Sequence, residues 1–126
     1  MTLGIGTDIV KVARIARLLE RHPEFIHKVF TASEIEYCNS RSFPAQSYAA
    51  RFAAKEAVMK ALGTGWDGQV NWRDIEVLNT GEGVPKLKLH GLALERMKAL
   101  GAENALLSLS HEKEFAVAFV VLTGKA

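Results

Sequence analysis

The sequence predicts an α+β domain in which helices pack on a mainly antiparallel sheet. β-branched runs stand near both ends of the chain, apolar residues recur at helical spacing in the first half, and short segments joined by turns fill the second half. Such a mixture, with most of the helices grouped before most of the strands, is typical of α+β proteins. Because 126 residues suit one domain and 48% of them are hydrophobic, we expect residues 1–126 to form a single domain.

Local signals define the elements of the first half. The predicted elements are a strand over residues 3–10, a helix over 12–22, a short helix beginning at 31–34 and a long helix over 45–62. Pro23 interrupts the first helical pattern, because proline is not accommodated in a helix interior. Thr31 and Glu34 have the spacing of a capping box, which begins a helix. Gly63 is predicted to end the long helix in the left-handed conformation.

The second half is predicted to hold a hairpin, one helix and a further pair of strands. The predicted elements are strands over residues 74–78 and 86–90, a helix over 91–100, and strands over 105–110 and 115–122. Residues 80–83 are predicted to turn the hairpin, with Pro85 at a sheet edge. The last strand is apolar on both faces, so we expect it to be central in its sheet or buried at a subunit interface.

Charge and composition exclude several classes of protein. The net charge of +2 and the pI of about 8.8 are too weakly basic for a typical nucleic-acid module. No run of residues has the length of a membrane span, and the N-terminus lacks the plan of a signal peptide, so we expect a cytoplasmic protein without membrane or nucleic-acid partners. Cys38 is the single cysteine, which excludes an internal disulfide and argues against a zinc site.

Two charged residues on the long alanine-rich helix are the first candidates for chemistry. Glu56 and Lys60 follow Phe52 at intervals of four, so the three side chains share one helix face. Charges on a largely buried helix must be paired, bound to a metal or matched to a ligand. One interpretation is an ordinary i, i+4 ion pair between Glu56 and Lys60. The other is that both point toward an anion held through a metal.

Asp8 is the second unusual residue, because it lies inside the first predicted strand. Aspartate is disfavoured in strands and costly to bury. The nearby Gly4 and Gly6 are typical of positions where another backbone or a ligand approaches closely. Asp8 is also able to cap the following helix, although Ile9 and Val10 separate it from the predicted helix start.

The first helix carries a one-sided basic face. Arg14, Arg17 and Arg21 fall within an arc of about 60°. A solvated helix face usually mixes charges of both signs, so this arrangement indicates a docking surface for an acidic partner. Lys28 and Phe25 extend the same surface in sequence.

Four motifs together carry a family resemblance. They are Gly4-Ile5-Gly6-Thr7-Asp8, the run from Arg51-Phe52-Ala53-Ala54-Lys55-Glu56-Ala57 to Lys60 and Gly65, Gly83-Val84-Pro85, and Ser108-Leu109-Ser110-His111. In this order and spacing, the sequence closely resembles the holo-acyl-carrier-protein synthases, the small homotrimeric branch of the 4′-phosphopantetheinyl transferases. The resemblance extends over essentially the whole chain.

The resemblance implies a transfer of 4′-phosphopantetheine from coenzyme A to a serine of apo acyl carrier protein, with release of adenosine 3′,5′-bisphosphate. It implies Mg²⁺ as the cofactor, held by Asp8 and Glu56, which is consistent with the preference of Mg²⁺ for a few carboxylates together with phosphates and water. Asp8, Glu56 and Lys60 are then the catalytic residues. Lys60 and His111 are implied to bind phosphates of coenzyme A.

The same resemblance implies the remaining binding residues. Gly63 and Gly65, in the turn after the long helix, and Pro85 are implied to line the coenzyme A cleft. The basic face is implied to bind acyl carrier protein, whose helices are acidic, through Arg14, Arg17, Arg21, Phe25 and Lys28. Family members are homotrimers with active sites between subunits.

Some roles stay open at the level of sequence. Lys55 belongs to the motif but lies about 100° around the helix from Glu56, so it serves either an interface or a salt bridge. The acceptor of the serine proton is a metal-bound water, Glu56 or Lys60. An alternative function is a noncatalytic basic module that binds an acidic protein or nucleic acid, but this leaves Asp8 and Glu56 without a role.

Overall fold

The computed structural model describes residues 1–63, 69–79 and 83–125, and these residues form an α+β fold as predicted. The strands are β1 (Thr2–Lys11), β2 (Ile75–Asn79), β3 (Pro85–Leu89), β4 (Asn104–His111) and β5 (Phe115–Thr123). The helices are α1 (Val12–Arg21), α2 (Glu24–Val29), α3 (Ala32–Asn39), α4 (Pro44–Ala61) and α5 (Gly91–Ala99), with a 3-10 turn at Trp72–Asp74.

The described strands form two antiparallel sheets. The larger has the order β1-β5-β4, and the smaller is the β2–β3 hairpin. The prediction that the last strand is central is therefore confirmed. In the larger sheet Asp8 pairs with Ala118, and Ala118 pairs on its other side with Leu109. Of the predicted hairpin turn, only Gly83 lies within the described residues.

Helix α4 packs across one face of the larger sheet, and the glycines of β1 permit a close approach. A Cβ atom on Gly4 would lie 2.2 Å from the carbonyl oxygen of Ala61, and one on Gly6 would lie 1.9 Å from that of Ala57. Real Cβ contacts are essentially never this short. The two glycines therefore let the strand and the helix backbone touch, and alternation along β1 turns Asp8 toward the same helix.

The C-terminal part of α4 is the centre of the hydrophobic core. From Tyr48 to Ala61 its residues are buried except for Glu56, which is half-buried, and Lys60, which is exposed. The face of the sheet that packs on α4 contributes small and branched side chains of β5, among them Ala118 and Val120. The two charged residues of the predicted site thus occupy the part of the helix that the core leaves open.

Helix boundaries follow the local signals with one exception. The capping box is present, because the Thr31 side chain accepts a hydrogen bond from the Glu34 backbone and the Glu34 side chain accepts one from Thr31 N–H. Gly63 has a φ of 78°, as predicted. The short helix α2 differs from the sequence prediction, in which Pro23 only interrupts the first helical pattern. With φ −56° and ψ −30° it instead begins a new turn, for which the proline ring is preorganised.

No helix within residues 1–63, 69–79 and 83–125 is long and apolar enough to span a membrane.

Candidate active site

Asp8, Glu56 and Lys60 come together where β1 crosses α4. The Lys60 ammonium lies 3.1 Å from Asp8 Oδ1 and donates a 2.9 Å hydrogen bond to the carbonyl oxygen of Thr7. The Asp8 side chain is only 13% exposed, whereas that of Lys60 is 52% exposed. Asp8 is therefore held in a shallow recess, and the lysine reaches it from solvent.

Glu56 lies close enough to Asp8 for the two carboxylates to interact. Burial, and then the negative charge of Asp8, raise the pKa of Glu56, while Arg14 and Lys60 act in the opposite direction. The charge of Asp8 thus disfavours the ionised form of Glu56 unless a cation lies nearby. Because Lys60 forms its ion pair with Asp8, the simple helix ion pair with Glu56 does not describe the site.

Asp8 does not serve as a helix cap. The N-cap of α1 is Lys11, and it makes no side-chain cap hydrogen bond. The cost of placing an aspartate in a strand is therefore not explained by capping of the next helix. The interactions that Asp8 does make are its contact with the Lys60 ammonium and its electrostatic interaction with Glu56.

The donor set fits Mg²⁺ better than a metal that requires a protein cage. Among the described residues there is no group of three or more His, Cys, Asp and Glu side chains that could hold a metal ion. Mg²⁺ is commonly bound by one or two carboxylates, with water and substrate phosphates completing its octahedron. A cation beside the two carboxylates would favour the ionised form of Glu56, whose pKa burial and the charge of Asp8 raise, and this matches that requirement.

Lys55, about 100° around the helix from Glu56, faces inward and forms a buried salt bridge. Its side chain is 0% exposed and its ammonium lies 2.9 Å from Glu34 Oε1. It also donates hydrogen bonds to the carbonyl oxygens of Trp72 and Ile75. Of the two roles considered for Lys55, the salt bridge is the one formed within the chain.

His111 lies far from Lys60 in the same chain. It ends β4 beside Gln46 and Ser47, in the first turn of α4. From Ser47 to Lys60 the helix rises by about 20 Å, at about 1.5 Å per residue. One chain therefore does not bring these two predicted phosphate ligands together.

A small cationic pocket surrounds His111 and contains two arginines that the sequence analysis did not assign. The pocket encloses about 180 Å³ and is lined by Tyr37, Arg41, Ser42, Phe43, Gln46, Ser47, Arg51 and His111. The guanidinium groups of Arg41 and Arg51 lie 5.4 and 4.5 Å from the centre of the Tyr37 ring. Arg51 is buried, donates to Asn79 Oδ1 at 2.8 Å, and its Nε has no hydrogen-bond partner among the described residues.

In the sequence, the feature that indicates this pocket is Arg51, the first residue of the Arg51-Phe52-Ala53-Ala54-Lys55-Glu56 motif. An arginine on a helix that is otherwise buried requires a partner or a ligand, by the argument already applied to Glu56. Arg41, in the loop before α4, carries no comparable signal in the sequence.

The other predicted coenzyme A residues lie on different elements of the fold. Pro85 begins β3 and borders a groove of about 540 Å³ between β3 and β4. Gly63 ends α4 beyond Lys60, and a Cβ atom on it would meet nothing within 4 Å. Gly65 lies outside the described residues.

The basic face of α1 adjoins the acidic recess. Arg14, Arg17 and Arg21 are exposed and line one shallow depression of about 260 Å³. Arg14 lies 6.0 Å from the Phe52 ring, and its charge partly opposes the rise in the pKa of Glu56 that burial and Asp8 cause, so it links the basic face to the acidic recess. Lys28 is exposed on α2.

Phe25 is half-buried in an aromatic cluster beneath the basic face. Its ring lies 6.1 Å from that of Phe30 and 5.9 Å from that of Phe52. Its remaining exposed edge is the part that a docking partner is able to contact.

Sequence comparisons identify close relatives over nearly the whole chain. Residues 4–120 match the family described as the 4′-phosphopantetheinyl transferase superfamily. The chain is 50% identical over 123 residues to the holo-[acyl-carrier-protein] synthase of Halorhodospira halophila and 46% identical over 123 residues to that of Koribacter versatilis. Each alignment covers 97% of this chain and 98% of the relative.

Solved structures show the same fold. The holo-[acyl-carrier-protein] synthase of Neisseria meningitidis superposes with a TM-score of 0.85 at 38% identity, covering 98% of this chain and 99% of that one. The enzyme of Helicobacter pylori in complex with coenzyme A superposes with a TM-score of 0.82 at 32% identity, covering 94% and 99%. This chain therefore belongs to the holo-[acyl-carrier-protein] synthase family of the 4′-phosphopantetheinyl transferase superfamily.

Proposed function

We propose that this protein transfers 4′-phosphopantetheine from coenzyme A to a serine of apo acyl carrier protein, releasing adenosine 3′,5′-bisphosphate, in support of fatty acid biosynthesis. The observation that carries the proposal is the meeting of Asp8, Glu56 and Lys60 beside the basic face of α1. A site for phosphates then adjoins a surface for an acidic protein. The names of the relatives support the same reaction.

Asp8 and Glu56 are the residues that would hold Mg²⁺. When bound, the ion supplies positive charge for the phosphate oxygens of coenzyme A. The two carboxylates come from different elements, a strand and a helix, so the backbone contact between β1 and α4 fixes their separation. A metal requirement follows as part of the proposal.

Lys60 has the freedom to bind the pyrophosphate of coenzyme A. Its side chain is half exposed and its present partners are Asp8 Oδ1 and a backbone carbonyl oxygen. Turning from Asp8 to a phosphate would place its charge where negative charge develops as the carrier serine attacks the β-phosphate. It would also free Asp8 for the metal.

The cationic pocket at His111 is suited to the phosphate on the ribose of coenzyme A. Arg41, Arg51 and His111 supply hydrogen-bond donors in a small recess, and the N–H of Arg51 Nε has no acceptor among the described residues. Guanidinium groups bind phosphate oxygens in pairs, which gives orientation as well as charge. The aromatic face of Tyr37 keeps both guanidiniums in position.

The two phosphate sites support an active site between subunits. The pyrophosphate and the ribose phosphate of one coenzyme A molecule are joined through a single ribose, which cannot span the distance of about 20 Å along α4. A neighbouring subunit is therefore expected to supply one of the two sites. This agrees with the homotrimer implied by the family resemblance.

An apolar sheet face supports the homotrimer independently. On the side of the larger sheet away from α4, Ile5 and Ile9 are 71% and 62% exposed, and Leu106 and Phe119 are each 56% exposed. The register places these residues on neighbouring strands, so they form one patch. Contiguous apolar patches of this kind are typical of subunit interfaces.

A mass-shift experiment tests the reaction. Apo acyl carrier protein incubated with the enzyme, coenzyme A and Mg²⁺ should gain one phosphopantetheine group, and a carrier whose acceptor serine is replaced by alanine should not. Addition of a chelator should stop the reaction. Binding of the carrier without any gain in mass would instead favour the noncatalytic basic module.

Subunit mixing tests the shared site. Lys60→Ala and a double variant, Arg41→Ala with His111→Ala, should each have little activity alone. If each site takes its two halves from different subunits, random mixed trimers contain intact sites in about one quarter of positions, since each half is wild type with probability one half. Failure of mixed trimers to regain activity would place both halves in one subunit.

A further inference from the structure

The buried pair of Glu34 and Lys55 ties together three parts of the fold. Lys55 has three ammonium donors and three acceptors for them, which are Glu34 Oε1 and the carbonyl oxygens of Trp72 and Ile75. Glu34 Oε1 also accepts from Thr31 N–H at 2.8 Å. The ammonium is thus fully satisfied and has no donor left for a substrate.

The second oxygen of Glu34 reaches the backbone of β2. Oε2 accepts a 2.8 Å hydrogen bond from Val77 N–H, and this bond is buried. One ion pair therefore binds three backbone groups in and just before β2, which are the carbonyl oxygens of Trp72 and Ile75 and the N–H of Val77. The pair therefore fixes both the position of β2 and its direction relative to α3 and α4.

The position of β2 determines where two parts of the proposed coenzyme A cleft lie. Asn79 at the end of β2 accepts the hydrogen bond from Arg51 in the cationic pocket. Asn79 also pairs with Pro85, and Val77 pairs with Leu87, in the ladder that positions β3. A shift of β2 would move both Arg51's partner and Pro85.

We propose that Glu34 and Lys55 are positioning residues that set the coenzyme A cleft through strand β2, without either side chain contacting substrate. This deepens the proposed function and rests on it. Adjacent residues of α4 then have separate tasks, because Glu56 faces the acidic recess while Lys55 faces inward and holds the hairpin.

Energetics argue that the pair has a role beyond stability. Both side chains of the pair are 0% exposed, so their attraction offsets a desolvation cost that an apolar pair would not incur. Replacement of buried ion pairs by apolar residues is often neutral or stabilising. Apolar side chains would be sufficient to fill this space if stability were the only requirement. Hydrogen-bonding groups are needed to hold the backbone groups of Trp72, Ile75 and Val77 at defined positions.

The test compares kinetics per folded molecule for three variants. Lys55→Met removes all three donors, and the double variant Glu34→Leu with Lys55→Met replaces the pair by apolar side chains. Glu34→Gln is the mild variant, because it keeps the shape but loses the second carboxylate oxygen. Glu36→Gln, exposed on the same helix α3, is the matched control for a charge change.

We expect the first three variants to raise the KM for coenzyme A, by roughly tenfold for Lys55→Met and less for Glu34→Gln. The kcat at saturating coenzyme A, the KM for carrier and the half-saturating Mg²⁺ concentration should change little, because Asp8, Glu56 and Lys60 are untouched. Calorimetric titration with coenzyme A, without carrier, should show the same loss of affinity. The control should match wild type.

Each outcome decides the proposal. Unchanged coenzyme A affinity in the folded variants means that the pair is only structural, and a fall in kcat with an unchanged KM means that Lys55 acts in the chemistry; either result overturns it. If Lys55→Met does not fold, Glu34→Gln and the double variant decide in the same way. A wild-type enzyme that fails to modify carrier contradicts the proposed function instead, so the two failures are distinguishable.

Discussion

Gly6→Ala is the sharpest test of how the fold builds the acidic recess. The added Cβ would lie 1.9 Å from the carbonyl oxygen of Ala57 and 2.9 Å from Ala61 N. Ordinary contact begins at 3.4 Å, so β1 and α4 must separate locally by 3.4 − 1.9 = 1.5 Å. Both contacted atoms belong to the backbone of a buried helix, which cannot turn aside as a flexible side chain does.

The displacement acts on the two carboxylates. Asp8 follows Gly6 by two residues on the same face of β1, and Glu56 immediately precedes Ala57 on α4. Overpacking of this kind costs about 1–3 kcal/mol of unfolding free energy. A misplacement of about 1 Å between catalytic groups costs on the order of 100-fold in rate. We therefore expect kcat/KM per folded molecule to fall by about two orders of magnitude.

Gly4→Ala is the matched control. Its added Cβ would lie 2.2 Å from the carbonyl oxygen of Ala61, so the steric conflict is similar, but Gly4 is four residues from Asp8. Urea unfolding measures the stability of both variants, and the mass-shift assay measures their activity. We expect similar destabilisation and a larger loss of activity for Gly6→Ala. Wild-type stability and activity in Gly6→Ala would refute the reasoning.

Two further predictions concern charge. Because burial and Asp8 raise the pKa of Glu56, its ionised form destabilises the metal-free protein; this cost is absent below the ordinary carboxyl pKa and develops as pH rises through the raised pKa. With a chelator present, the melting temperature of Glu56→Gln should therefore be higher than that of wild type at about pH 8 and equal to it at about pH 4. Addition of Mg²⁺ should raise the melting temperature of wild type but not that of the variant. Equal melting temperatures of the two proteins at both pH values would contradict this reasoning. Replacement of both Arg14 and Arg21 by Glu should weaken carrier binding and leave coenzyme A binding nearly unchanged. The affinity of the wild-type enzyme for carrier should fall as salt is added, because exposed charges are screened over about 8–10 Å. If the double variant binds carrier as tightly as wild type at low salt, the basic face of α1 is not the carrier site.

Features with local causes were predictable from the sequence. The capping box at Thr31 and the left-handed Gly63 depend on a few neighbouring residues, and both are present. The shared direction of Glu56 and Lys60 follows from helix periodicity alone. That Asp8 meets them depends on the pairing of β1 with α4, for which Gly4 and Gly6 were the signal.

Features that depend on distant partners were not predictable in the same way. Lys55 gave two possible roles because its partner, Glu34, lies 21 residues away on another helix. The pocket around His111 unites β4 with α3, α4 and the loop between those helices, so no local pattern marks Arg41. The short helix α2 was missed because one proline both ends and begins a helix.

The composition of α4 explains why its rotation depends on the contact with β1. Ala53, Ala54 and Ala57 allow the helix to lie against β1, but alanines provide little shape to fix its rotation about its own axis. A rotation by one residue, about 100°, would turn Glu56 away from Asp8. The backbone contact between Gly6 and Ala57 opposes such a rotation, because it fixes which side of α4 meets β1. The close contact at Gly6 that brings the two carboxylates together therefore also sets the rotation that points Lys55, about 100° around the same helix from Glu56, toward Glu34.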